Sequence, residues 1–276
     1  MVELLYYPSI CFFILFIQYL ITYVFSKQKD IAIIKDNLLS ILLASLFLGG
    51  ILYLPSIFVK DFDNDILFFT LLSMSLYGYW FILNPLQNVL LSKRHQRSFS
   101  TEEELNEDGL NFKVFFTDKI STNAIATGII PFYKIIILAK DLKENLNPSE
   151  LKAIIYHEIG HHKRKHIFIM YVLNVTFLTL YLFGRSVMDD FDFPNKFFEG
   201  LSVFLGGALF GLVIYYIPNK IMYFLEYDAD SFSAIKNSRE SMINALKRLD
   251  ELSQGKLTKG NINHPKIEKR LKNLEF

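Results

Sequence analysis

Five uncharged stretches, at 4–26, 38–59, 66–91, 167–184 and 200–219, constrain this 276-residue chain more than any other feature. A bilayer core takes about 20 helical residues, so each stretch is long enough, or nearly so, to cross one. The fourth is the shortest and can borrow length from the helical pattern before it. Packed as core helices instead, five such segments would leave too little polar surface to cover them. Composition agrees: 51% of residues are hydrophobic and 21% charged, against about 25% charged in ordinary soluble domains. The apolar excess sits in blocks, with a mean hydropathy of +0.27. A disordered chain is excluded and a purely soluble enzyme disfavoured. The first stretch has no basic start and no small-residue cleavage site before Lys27, so it reads as a retained anchor rather than a signal peptide.

Charges in the short loops set the orientation. Lys27, Lys29 and Lys35 follow the first span, and Lys93, Arg94 and Arg97, with His95, follow the third. Acidic loops alternate with these: Asp61, Asp63 and Asp65 before the third span, and Asp189, Asp190 and Asp192 after the fourth. A five-span chain with its N-terminus outside is expected. It comprises three spans in 1–92, a first polar part at 93–166, two spans in 167–219 and a second polar part at 220–276. Both polar parts then face the cytoplasm and together hold roughly 130 residues, enough for one compact domain.

Within the polar parts, Glu102–Glu107 reads as an acidic surface loop. Phe112–Thr117 and Tyr133–Ala139 read as strands, with 120–127 as a third extended segment. Asn147-Pro148-Ser149-Glu150 is a helix start, with Asn at the cap, Pro in the first turn and Glu three residues on. That helix is expected to run through His166 straight into the fourth span. Further helices are expected at 220–234, emerging from the fifth span, at 239–252 and at 265–274, with Gly255 and Gly260 marking the loop between the last two.

His157-Glu158-Ile159-Gly160-His161 lies in the middle of the capped helix. A spacing of four puts both imidazoles on one face, a turn apart, where they can share a zinc ion. Glu158 then points its carboxylate at the open zinc position. His162 and His166 are also four apart, but Lys163, Arg164 and Lys165 between them oppose a dication. That segment reads as a basic juxtamembrane face meeting lipid headgroups. A lone cysteine, Cys11, excludes an intrachain disulfide and a Cys-based zinc cluster. The third ligand must be His or carboxylate. Glu226 and Asp230 sit a turn apart after the fifth span, so one can ligate zinc while the other orients a His. Two spans separate them from His161, which returns the chain to the same side of the bilayer. His264-Pro265 starts the last helix, and a separate His or Arg can donate to the oxyanion of a hydrolase. A net charge of +1 gives no support for a nucleic-acid partner. The spans hold no ionisable group, which counts against a transporter.

These motifs, together with Asn123-Ala124-Ile125-Ala126-Thr127-Gly128, resemble the M48 membrane metalloendopeptidases of the HtpX and Ste24 type over about residues 110–274. The resemblance implies an α-helical integral membrane protein carrying a cytosolic α+β zincin domain of gluzincin type. It implies zinc held by His157, His161 and Glu226, Glu158 as catalytic base and Asp230 supporting a ligand. It also implies Asn123, Ala124, Ile125 and Ala126 as a substrate-pairing edge strand, with His264 and Arg270 near the substrate carbonyl. A membrane-associated polypeptide substrate, a prokaryotic plasma membrane and a cytoplasmic active site are the matching expectations. The three spans before the domain, where the HtpX pattern has two, are similar instead to the M56 sensor-transducer peptidases. Their corresponding acidic motif usually carries Cys in place of Ala229. A signal-relaying protease and a non-catalytic zinc-binding protein are the competing readings. Short exterior loops weigh against the first, and an intact Glu158 against the second.

Overall fold

A computed structural model describes scattered positions from 8 to 53, residues 65–79 and 81, and then 102–107, 110–117, 120–129, 134–189, 191–260 and 264–275. The first two apolar stretches are described only at isolated helical positions. The basic loops at 27–35 and 93–97 lie outside the described residues. Contacts divide the chain into two units, one of Met1–Gln87 with Asn174–Gly206, the other of Asn88–Leu173 with Gly207–Phe276.

In the first unit, all secondary structure among the described residues is helical. Helix α1 spans Asp65–Gly78, and its apolar residues Ile66, Leu67, Leu71 and Met74 are exposed.

The second unit is built on a four-stranded sheet of order β1-β2-β4-β3, from Glu102–Glu107, Leu110–Thr117, Ala124–Thr127 and Lys134–Ala139 in chain order. Strands β2 and β4 pair in parallel, and the two outer strands pair antiparallel. Strand β2 is buried on both faces. Phe112, Val114 and Phe116 enter the main core, and Phe115 joins Ile135 on the other side. The main core is closed by helix α2 (Lys140–Asn145), helix α3 (Pro148–Lys163), helix α6 (Arg239–Leu252) and helix α8 (Ile267–Glu275), with the short α7 (Lys256–Lys259) between the last two. Ala153, Ile154 and Ile159 of α3 meet Met242, Ala245 and Leu246 of α6 in this core.

Glu102–Glu107 is a strand and not the surface loop expected above. It pairs residue for residue with β2, Glu102 opposite Phe115 and Glu107 opposite Leu110. Only Asp108 and Gly109 separate the two strands, a dipeptide suited to a two-residue hairpin. Strand β1 lies at one edge of the sheet.

Helix α3 begins as its sequence predicts. The Asn147 side chain accepts from the Ser149 and Glu150 amides, and the Glu150 carboxylate accepts from the Asn147 amide. Its end differs from expectation. The helix stops at Lys163, and Lys165 adopts φ 59° before helix α4 (His166–Asp189) starts. A left-handed lysine costs roughly 1–2 kcal/mol, and no Gly or Pro announces it.

Helices α4 and α5 (Lys196–Lys236) are both long and apolar enough to cross a bilayer. Phe204, Leu209 and Leu212 of α5 stand well exposed, a surface suited to hydrocarbon rather than water. Helix α5 has 41 residues with Pro218 inside it. At 1.5 Å per residue it is about 60 Å long, twice the bilayer core. The expected fifth span and the helix after it are thus one element, which carries Glu226 and Asp230 directly.

Candidate metal centre

The imidazoles of His157 and His161 project from adjacent turns of α3, with their Nε2 atoms 3.2 Å apart. From α5, the Glu226 carboxylate brings Oε1 to 3.4 Å from His161 Nε2 and Oε2 to 3.7 Å from His157 Nε2. Zinc binds nitrogen and oxygen at about 2.0–2.2 Å in a tetrahedron, whose edges are therefore roughly 3.3–3.6 Å. The three separations, 3.2–3.7 Å, bracket that spacing. All are shielded from solvent, and their ligand atoms lie within 4.8 Å of one another. The donor set of two imidazoles and a carboxylate fits zinc.

Gly160 makes the approach of the two helices possible. A Cβ there would meet Phe232 Cδ1 at 3.2 Å and Ala229 Cα at 3.3 Å. Any larger residue would push α5, and Glu226 with it, away from the histidines.

Asp230 orients the first histidine. Its Oδ1 lies 2.9 Å from His157 Nδ1, and its carboxylate accepts a forked pair of bonds from Arg270, Nε to Oδ2 at 2.8 Å. A carboxylate held by arginine can only accept, so a proton on His157 Nδ1 would face it and leave the Nε2 lone pair for a metal. Burial alone would raise the Asp230 carboxyl. The Arg270 guanidinium, with help from His157, holds it below the ordinary range. Glu226 is governed in the same way. Against the cost of full burial, Arg270, His161 and His264 keep its carboxyl well below the usual value. Arg270 Nη1 lies 3.3 Å and His264 Nδ1 3.0 Å from Glu226 Oε2. Arg270 is thus buried and engaged with two carboxylates, and that environment raises its own pKa.

Glu158 does not join the ligand cluster. It lines a cavity of about 500 Å³ together with His157, Glu226, His264 and residues 121–124. Strand β3 forms one sheet edge, because order and pairing leave β4 as its neighbour. The Asn123 carbonyl accepts from the Ala139 amide at 2.9 Å, turned towards β4. Backbone polarity alternates along an antiparallel strand, so the amides of Ala124 and Ala126 face the other way. The Asn123 side chain itself accepts from the Ala124 amide, at 3.0 Å. Ile125 is exposed.

The sequence profile of Peptidase family M48 matches residues 85–276. This chain belongs to that family. Protease HtpX of Haemophilus influenzae is 26% identical over 176 residues, covering 55% of this chain and 62% of its own. Protease HtpX of Mannheimia succiniciproducens is 28% identical over 177 residues, with the same coverage. The crystal structure of S. mikatae Ste24p superposes with a TM-score of 0.61 at 21% identity, over 88% of this chain and 66% of that one. The M48 chain therefore spans under two thirds of the length of these relatives, and the solved structure bears on its fold alone.

Two histidines of this M48 chain are misplaced by the sequence reading. His162 and His166 are buried, at 7% and 3% exposure, and do not form a basic face open to lipid. His162 Nε2 donates to the Ile135 carbonyl of β4 at 3.2 Å, and burial lowers its pKa to about 4. His166 contacts His161 and Asp228. No spacing rule could have found this contact, because it depends on the helix break at Lys165.

Proposed function

We propose that this M48 protein is a membrane-embedded zinc metalloendopeptidase, hydrolysing peptide bonds of membrane proteins or membrane-bound peptides at the cytoplasmic face. The observation that carries the proposal is the convergence of His157, His161 and Glu226 within 4.8 Å of one another, with Glu158 on the adjoining cavity wall. A zinc ion in that cluster would supply Lewis acidity, polarising a carbonyl and bringing the pKa of a water in the cleft towards 7. The substrate backbone would lie along Asn123–Ala126 as an added strand, pairing with the outward amides and carbonyls of Ala124 and Ala126. Glu158 takes the proton from water as its oxygen bonds to the substrate carbonyl carbon, and returns a proton to the amine nitrogen as the C–N bond breaks. His264 is assigned to the carbonyl oxygen, where negative charge develops. Arg270, engaged with Asp230 and Glu226, holds the ligand set in place from the wall of the same cavity.

Helices α4 and α5, the exposed apolar surface of α5 and the named relatives support an integral membrane location. Five spans with both polar parts on the cytoplasmic side of a prokaryotic plasma membrane fit the loop charges. Glu158→Gln decides the catalytic part. It should keep zinc and fold yet lose nearly all cleavage of a membrane substrate, and cleavage at the wild-type rate would refute the assignment. Labelling of Lys259→Cys from outside intact cells, in a background lacking Cys11, would refute the orientation.

A further inference from the structure

Asp230 accounts for the orientation of only one of the two metal-binding imidazoles. We infer that His166 and Asp228 form a second orienting chain, which fixes the ring and the proton of His161. The inference rests on the zinc site proposed above and concerns this chain's own residues towards it. His161 and His166 approach through their Nδ1 atoms, 3.0 Å apart, so one nitrogen must donate and the other accept. A His161 that offers its Nε2 lone pair to a metal must carry its proton on Nδ1, which makes His166 Nδ1 the acceptor. The His166 proton then sits on Nε2, and that atom lies 3.0 Å from Asp228 Oδ2. A carboxylate can only accept there. Each proton in the series has one placement, and the series ends on Asp228.

Backbone geometry supports the same reading. Five residues along an unbroken α-helix turn through about 140° beyond a full circle, so His166 could not face His161 if α3 simply continued. The left-handed Lys165 interrupts the helix between them, and the two rings meet edge to face with centroids 5.1 Å apart. His166 is 3% exposed, so water does not compete for its ring. Asp228 is half-exposed and also lies 3.7 Å from Arg164. It shares α5 with Glu226 and Asp230, so one helix supplies a ligand and a carboxylate support for each of the two histidines. His166 and Asp228 are positioning residues, acting on the metal through His161.

The test is zinc affinity of the full chain in detergent, by competition with a chromophoric chelator, together with the d–d spectrum of cobalt-substituted protein. Absence of zinc binding by the wild type would overturn the metal centre itself, a result separate from this inference. With wild-type binding in hand, His166→Leu should bind zinc 10–100-fold more weakly, the usual cost of losing such a support, with an altered cobalt spectrum. Asp228→Ala should shift both in the same direction. His166→Asn places an acceptor oxygen where the imidazole Nδ1 was, and should recover most of the affinity. A purely packing role for His166 predicts unchanged affinity in every variant that folds, and that result overturns the inference. Should His166→Leu fail to fold, Asp228→Ala decides, because wild-type affinity and an unaltered cobalt spectrum in that variant would equally overturn it.

Discussion

Replacing Gly160 by alanine tests whether helix separation, and not ligand identity alone, sets the metal site. The added methyl would stand 3.2 Å from Phe232 Cδ1 and 3.3 Å from Ala229 Cα, where carbon atoms settle at about 3.5–4.0 Å. The phenyl ring can swing aside, but the Ala229 backbone yields only if α5 moves outward, by about 0.3 Å. Glu226, one turn away on the same helix, moves with it. Its contacts are 3.4 Å to His161, within a tetrahedral edge, and 3.7 Å to His157, already beyond one, so widening weakens metal binding directly. A tenfold loss of zinc affinity corresponds to ~1.4 kcal/mol and is the expected size. Stability without metal should change less. Overpacking costs about 1–3 kcal/mol, and alanine's helix propensity returns about 1 kcal/mol over glycine. The assay pairs chelator competition with thermal unfolding of the metal-free protein. Unchanged zinc affinity in Gly160→Ala would refute the reasoning, and Gly160→Val should be worse on both measures.

Three further outcomes follow from the same geometry. Arg270→Leu leaves Asp230 and Glu226 buried without their cation and should destabilise the fold by about 3–5 kcal/mol, read as the midpoint of chemical denaturation. Ala126→Pro removes an outward-facing amide of β3, and should abolish peptide cleavage while zinc content stays at the wild-type level. Retained cleavage would place the substrate elsewhere. Asn147→Ala deletes the side chain that caps α3 and should cost about 1 kcal/mol of stability with no change in zinc stoichiometry.

Much of the site is legible in the chain because helix periodicity is local. A spacing of four within one capped helix requires His157 and His161 to share a face, and Glu226 and Asp230 obey the same rule on α5. The supports that cross between elements are harder to read. The family resemblance implies Arg270 near the substrate carbonyl, and its bond to Asp230 was not legible, because only the packing of α8 on the core brings the two together. The edge strand β1 was hidden by its glutamates, although Asp108-Gly109 carried a usable hairpin signal. His166 was unreadable for a different reason. Its position depends on one lysine in a left-handed conformation, which no residue preference foretells.

The interruption of the second unit by the later part of α4 and the first part of α5 has a consequence for biosynthesis. The two histidines leave the ribosome before these apolar segments, and Glu226 and Asp230, in the C-terminal part of α5, emerge only after them. Arg270, which holds Asp230 and Glu226 in place, comes later still. Chains grow at about 5–20 residues per second, so for several seconds the nascent protein exposes half of a zinc site and no complete one. Under the proposed function, hydrolytic competence would arrive only after the apolar segments have emerged.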